Sequence, residues 1–290
     1  MKRISAFIKS ARFAEVSILL GFPLIGIFFA FESAEQLVSL PVILFVLAVF
    51  FLSTAIYAFN GLSGIGEDGE NDRLSDLKNR RTTFIATLAV SLSLSFLFFF
   101  MIKFALALFA AVSFLLWCIY SFPKKGFKYR PVLGTLIHFA AQIIHFLMGY
   151  TVIKPIDDTG TAASVYFALL FSAGHINHEL IDREADEKTG IKTGAVCFGA
   201  KTWEIVSFCL FFAAALYMSA VSMIFSGMIV YTYPFIVAGL IHTVYKIILF
   251  KRTPERSKFL AERSFYRILY FVAGILLIET KIFAENFFIK

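Results

Sequence analysis

The chain has little charge. Asp, Glu, Lys and Arg make up 16% of its 290 residues, against roughly a quarter of an average soluble domain. Hydrophobic residues reach 59%, aromatic residues 17%, and the mean hydropathy is +0.80. So much apolar surface cannot be hidden in one water-soluble core, and the solvent of the fold is expected to be lipid. Cysteine is scarce too. Cys118, Cys197 and Cys209 form no C-x-x-C spacing, and two of them lie in apolar runs where a thiol behaves as a small hydrophobe. This argues against a disulfide framework or a zinc site. The first apolar run, from about Phe13, has no small-residue cleavage site after it, so it reads as a retained helix and not as a signal peptide. The net charge of +7 and pI of about 9.2 do not point to nucleic acid. The cations occupy short gaps between apolar runs, and no groove of stacking aromatics with arginines is legible.

Apolar length is what the chain has. A spanning helix needs about 20 mostly apolar residues. Nine runs qualify: 13–31, 38–60, 83–102, 104–122, 132–153, 162–178, 203–222, 226–249 and 265–284. The third and fourth are parted only near Lys103, and the seventh and eighth only at Ser226-Gly227, so periodicity alone leaves eight or nine. Charge placement favours nine. With a cytoplasmic N-terminus, 23 of the 27 Lys and Arg fall at that terminus and around 61–82, 123–131, 179–202 and 250–264. Only Lys103, Lys154, Lys281 and Lys290 fall on the other side. That is the positive-inside bias of a multi-pass protein, of the inner membrane if the cell is bacterial.

The acids follow a different rule. Ten of twenty lie in two segments: Glu67, Asp68, Glu70, Asp72 and Asp76, then Glu179, Asp182, Glu184, Asp186 and Glu187. Positive-inside does not call for them. Asp72-Arg-Leu-Ser-Asp76 recurs 110 residues later as Asp182-Arg-Glu-Ala-Asp186. Each copy follows the second helix of a four-helix set. The expected architecture is all-α: two similar four-helix units and a ninth helix, in one domain over 1–290.

Aspartates four apart on a helix share a face, one turn apart. Asp68, Asp72 and Asp76 make one stripe; Asp182 and Asp186 make another, with Glu179 a turn earlier. Like charges so placed repel, and the cost rises near lipid. A hard cation would offset it, and oxygen donors with few His or Cys ligands suit Mg²⁺ bound together with substrate phosphates. A single D-x-x-x-D would read as a solvated acidic loop; two copies at equal offset read as a site. Cations stand beside them: Tyr120-x-x-x-Lys124 closes the fourth helix, with Arg81 after the first stripe, Lys192 after the second, and Arg12 near the first helix. These would touch a diphosphate, or merely obey the positive-inside rule.

With these motifs the chain resembles the UbiA superfamily of intramembrane prenyltransferases. That family has N-x-x-x-D-x-x-x-D after its second helix, Y-x-x-x-K at its fourth and a D-x-x-x-D motif after its sixth, on nine helices. Here the first motif reads Asp68-Gly-Glu-Asn-Asp72-Arg-Leu-Ser-Asp76, with Asp in place of the leading Asn. The second runs from Glu179, where Asp is usual, through Asp182 and Asp186 to Gly190-Ile-Lys192-Thr193. The resemblance covers essentially the whole chain. It implies that Asp68, Asp72, Asp76, Asp182 and Asp186, with Glu179, hold Mg²⁺ and diphosphate. It implies that Arg81, Tyr120, Lys124 and Arg12 contact the diphosphate or its leaving oxygen.

The implied activity is transfer of an isoprenyl group from an isoprenyl diphosphate to a small hydrophobic or aromatic acceptor within the bilayer, the site facing the cytoplasm. Asp72, Asp182, Tyr120 and Lys124 would carry the chemistry; Arg12, Arg81, Lys192 and His178 would help bind substrate. The 37 Phe either line an apolar groove that favours a carbocation or face lipid. His178 stands 110 residues after Asp68, beside Asn177, and reads as a metal ligand, a base or a hydrogen-bonded support. His138 and His145 share a helix face and read as lining the acceptor pocket or joining helices; His175 has no assigned part. A cation-coupled transporter is the alternative, though transporter sites sit at mid-bilayer on broken helices. The CDP-alcohol phosphotransferase pattern fails at Glu70-Asn71-Asp72-Arg73. The acceptor and the isoprenoid length are not legible.

Overall fold

The computed structural model describes residues 13–64, 81–123, 125–225 and 228–288. Among them are nine helices of eighteen residues or more. They are α1 (Phe13–Ala30), α2 (Leu40–Gly64), α3 (Arg81–Ile102), α4 (Phe104–Ser121), α5 (Pro131–Ile153), α6 (Asp158–Thr189), α7 (Ala200–Ile224), α8 (Ile229–Leu249) and α9 (Arg256–Phe288). Six segments meet the length and apolarity of a membrane span: Ala34–Gly64, Arg81–Ile102, Phe104–Ser121, Pro131–Ile153, Ala200–Ile224 and Tyr231–Leu249. In α1 the apolar stretch is Leu19–Ala30. The helices α6 and α9 fall short for a physical reason: they carry polar side chains along much of their length.

Local chemistry sets the ends. Lys103, in extended conformation, parts α3 from α4, so the near-continuous apolar run is two helices. Pro131 opens α5, where its missing N–H is harmless. Asp157 caps α6 by accepting from the Gly160 N–H at 2.7 Å. Gly190, at φ 74°, closes α6 in the left-handed conformation that glycine adopts without strain. Two helices run further than hydropathy implied. The sixth, expected over 162–178, extends to Thr189 and carries the second acidic motif on its own last turns. The ninth, expected over 265–284, starts at Arg256.

The outer faces are apolar, as lipid contact requires. Phe100, Leu108, Leu216 and Val244 are each more than half exposed. Two cores lie inside. One gathers Val42, Phe45, Leu52, Phe99, Leu106 and Trp117 against Ala141 and Met148 of α5. The other gathers Phe146 and Tyr150 of α5 with Phe167, Phe211, Met218 and Phe235. Successive helices pack on one another from α1 to α9, and α1 also packs closely on α5. There Gly26 lies against the Phe146 carbonyl and Gly149 against the Pro23 carbonyl, closely enough that a β-carbon at either position would strike backbone. Small residues permit such backbone approach in lipid.

The last helix closes the bundle. Lys281 of α9 donates to the Phe29 carbonyl at 2.7 Å, at the C-terminal end of α1, where a cation meets the negative end of the helix dipole. Buried ion pairs fix α9 at its other end: Lys246 of α8 to Glu262 at 2.6 Å, and Lys258 to Glu204 of α7 at 2.5 Å.

Gly149→Leu is expected to destabilise the protein by about 3 kcal/mol or more, the upper end of overpacking costs. Gly274→Leu, where nothing lies within 4 Å of an added β-carbon, should cost less than about 0.5 kcal/mol. Thermal unfolding of both variants in detergent micelles checks the contrast; equal losses would remove the α1–α5 contact from the account.

Candidate active site

A cavity of about 410 Å³ runs between α1, α2 and α4–α9, within the usual range for small-ligand sites. Its walls divide by chemistry. Phe22, Phe167, Phe171, Phe211, Phe235 and Phe271 supply an aromatic part. Tyr57, Trp117, His138, Gln142, His175, His178 and Arg267 supply a polar part. His175 and His178 place that polar part on α6, one to two turns before Asp182. Asp182 is exposed and Asp186 half-buried on the same helix. The acidic turns of α6 therefore follow, one to two turns on, the histidines that form the polar part of the cavity wall.

The sequence-selected residues fall into three groups. Arg12, Asp68, Asp72, Asp76 and Lys124 lie outside the described residues. Arg81 and Lys192 are exposed at the opening of α3 and in the link after α6. Tyr120, His178, Glu179, Asp182 and Asp186 come together. Tyr120, at the end of α4, packs edge-on against His138 with ring centroids 5.0 Å apart. It lies within electrostatic reach of Glu179 and Asp186.

Glu179 differs from the aspartates it was grouped with. It is only 7% exposed. Its Oε2 accepts from the Trp203 indole N–H at 2.6 Å and from the Gly194 N–H at 3.0 Å. Its Oε1 lies 3.2 Å from His175 Nε2. Gly194 sits so close to the Trp203 ring that a β-carbon there would strike it. The carboxylate thus ties the turn after α6 and the start of α7 to the acidic helix.

The four histidines nearby divide. His138 and His175 stack face to face, ring centroids 3.7 Å apart and 15° from parallel, at the cavity wall. His145 instead lies 2.7 Å from Ser113 Oγ of α4, a helix–helix hydrogen bond. His178 Nε2 accepts from Arg267 at 3.2 Å.

Although its side chain is exposed, the protein around Asp182, beyond the apolar 162–178 stretch, displaces enough water to push its carboxyl above the ordinary range; Arg263 and Arg256 pull against that shift. These two arginines and Arg267 recur at spacings of seven and four on α9, so they share one face, turned to α6. Sequence reasoning assigned them only to the positive-inside bias. Their helical spacing was the signal available. Trp117, Gln142 and Trp203 offered none, since lone apolar or amide positions look alike in any span.

An apolar-faced helical bundle enclosing an aromatic-walled cavity is that of a membrane protein. The chain belongs to the UbiA prenyltransferase family, whose family model matches residues 19–271. It is similar in structure to a digeranylgeranylglyceryl phosphate synthase, at TM-score 0.75 and 17% identity over 97% of this chain and 99% of that one. It is similar to a UbiA homologue from Archaeoglobus fulgidus bound to GPP and Mg²⁺, at TM-score 0.71 and 19% identity over 94% and 99%. A third likeness is to the apo form of a UbiA homologue from Aeropyrum pernix K1, at TM-score 0.67 and 15% identity over 93% and 98%. At these identities the likeness is one of fold. No curated protein matches the chain in sequence.

Trp203→Phe and Glu179→Gln should each lower stability by about 1–3 kcal/mol, the cost of orphaning a buried polar group. The double variant should lose less than the sum, because the two share one bond. Additive losses in denaturant titrations would show that the bond contributes nothing.

Proposed function

We propose that the chain transfers an isoprenyl group from an isoprenyl diphosphate to a hydrophobic or aromatic acceptor inside the membrane, with Mg²⁺ at the acidic mouth. The observation that carries this reading is that α6, which lines an aromatic-walled cavity with His175 and His178, continues into the turns that bear Asp182 and Asp186. The family match and the GPP- and Mg²⁺-bound likeness from Archaeoglobus fulgidus support it. The donor set fits: two carboxylates one turn apart offer hard oxygens, facing arginines and no thiolate. Asp182 and Asp186 would hold the ion together with Asp68, Asp72 and Asp76. Bound there, Mg²⁺ would neutralise the diphosphate and make it a better leaving group.

The side chains supply the rest. Asp182 and Asp186 orient the diphosphate end at the mouth. Tyr120, Lys124, Arg81 and Arg12 meet its oxygens, with Lys192 at the rim. Phe167, Phe171, Phe211 and Phe235 exclude water from the allylic carbon, which limits hydrolysis, and present π faces to its developing positive charge. We assign Glu179 a bracing part, because its Oε2 already accepts from Trp203 and Gly194 and its Oε1 lies 3.2 Å from His175 Nε2. The matching helix pairings of the two halves support a repeat of four plus four with α9 as the ninth span, and the Lys and Arg bias supports a cytoplasmic mouth. Family membership gives the transporter alternative no support.

Purified protein with labelled geranyl diphosphate and Mg²⁺ should release diphosphate when an acceptor is present. Asp182→Asn should slow release by about 10²–10³-fold, the loss typical of one electrostatic stabiliser, with unfolding temperature unchanged. Chelation should stop turnover and added Mg²⁺ restore it. Release indifferent to Asp182→Asn and to Asp72→Asn would overturn the reading.

A further inference from the structure

Two side chains in the cavity wall carry polar atoms that the fold leaves unanswered. Trp117 of α4 is 8% exposed and Gln142 of α5 is 3% exposed, and both line the cavity. Among the described residues neither Trp117 Nε1 nor Gln142 Oε1 has a hydrogen-bond partner. Folded proteins pair the large majority of their buried polar atoms, and an orphan in apolar surroundings is costly. The other tryptophan shows the contrast: the Trp203 indole N–H donates to Glu179 at 2.6 Å.

The two orphans belong together. Trp117 packs edge-on against His138, ring centroids 4.8 Å apart, and lies nearly parallel to His145 at 6.3 Å. His138, Gln142 and His145 recur at spacings of four and three, so they share one face of α5. Gln142, between the two histidines, is therefore on the side of α5 that meets the indole.

Their chemistry selects a ligand. An indole N–H only donates, and an amide oxygen only accepts. A carboxylate, phosphate or carbonyl oxygen would answer Trp117 and leave Gln142 Oε1 facing another acceptor atom. An ammonium would answer Gln142 and leave Trp117 unmet. A hydroxyl accepts and donates through one oxygen, and so answers both. We propose that Trp117 and Gln142 form a subsite for an uncharged hydroxyl of the prenyl acceptor, an alcohol or a phenol. In the prenyl-transfer reading, on which this assignment rests, the isoprenoid tail has no polar atom to offer. The diphosphate belongs to the acidic turns of α6, which leaves the acceptor. Trp117 lies one turn before Tyr120 on α4, and Tyr120 is within electrostatic reach of Glu179 and Asp186. The hydroxyl is thus held about one turn inward of the donor's polar end. Trp117 and Gln142 are then specificity-determining residues that sequence motifs do not mark.

The test uses the full-length protein in nanodiscs. With two tryptophans in the chain, nitrogen-correlated NMR spectra show two indole N–H resonances, and Trp117→Phe assigns them. Two matched pairs are titrated without donor: 1-naphthol with 1-methoxynaphthalene, and 1-O-decylglycerol with its di-O-methyl ether. The hydroxyl member of one pair should move the Trp117 resonance downfield and leave the Trp203 resonance in place. It should bind about 5–100-fold more tightly than its ether, the effect of leaving one buried acceptor atom unanswered. The pair that responds tells a phenol from a lipid alcohol. Gln142→Met keeps the volume without the amide, and should bring the two members within about twofold of each other. This variant should unfold at the wild-type temperature or above it, because it removes an unpaired polar group; an amide with a structural bond would lose stability. With geranyl diphosphate and Mg²⁺, Gln142→Met should raise the KM of the responding acceptor about tenfold and leave the donor KM within about twofold. Equal affinities within both pairs would overturn the proposal. So would a Trp117 resonance that neither hydroxyl probe moves, or a Gln142→Met variant that loses stability yet keeps the preference. Diphosphate release absent under all conditions, with the hydroxyl-dependent shift intact, would instead strike the prenyl-transfer reading and leave the subsite standing.

Discussion

The constraint on which this structure depends is electrostatic: carboxylates and guanidiniums must be held at the edge of a solvent that rejects them. In hydrocarbon an unmatched charge costs several kcal/mol or more. The protein answers by arranging opposite charges on two facing helices. The acidic turns of α6 meet the arginine face of α9, and both helices turn their remaining polar groups toward the cavity or into buried pairs. For this reason α6 and α9, the most polar of the long helices described, line the site. The helices that face mainly lipid have no such duty and read as clean apolar spans.

Holding α9 in register is then a structural task of its own. A rotation of about 100° per residue separates Glu262 from Arg263, so burying the one fixes the direction of the other. The Lys246–Glu262 and Lys258–Glu204 pairs are almost fully buried. Removing one partner of such a pair is strongly destabilising, because a charge is left without compensation. These pairs add specificity of rotation more than raw stability. Lys281 at the far end of α9 and the glycine contact of α1 with α5 complete the frame.

Much of this was legible in the sequence, for identifiable reasons. Apolar runs marked where the nine long helices described lie, six segments of which have the length and apolarity that lipid requires of a span. The break at Lys103 was visible as a single cation inside a long apolar run. The ends of α6 and α9 were missed because hydropathy marks the solvent and not the backbone: Glu184, Glu187 and Lys188 continue a helix perfectly well outside hydrocarbon. The acid spacing grouped Glu179 with Asp182 and Asp186, and spacing cannot distinguish an exposed carboxylate from one already bonded to an indole. Trp203 lies 24 residues from Glu179, and no local pattern links them.

The histidines show the same limit from the other side. His138 and His145 share a face of α5 by periodicity, and sequence alone left both readings open. The structure separates them by depth. His138 reaches the cavity and stacks on His175, while His145 Nε2 meets Ser113 Oγ between helices. His175, on the far side of that stack, lies 3.2 Å from the Glu179 carboxylate. The polar end of the cavity is therefore graded: the carboxylates of Asp182 and Asp186 lie on the turns of α6 beyond it, imidazole and amide groups line its wall, and the Arg267 guanidinium stands beside the aromatic rings. In the proposed reading such a gradient suits an amphiphile that joins an anionic end to an apolar body.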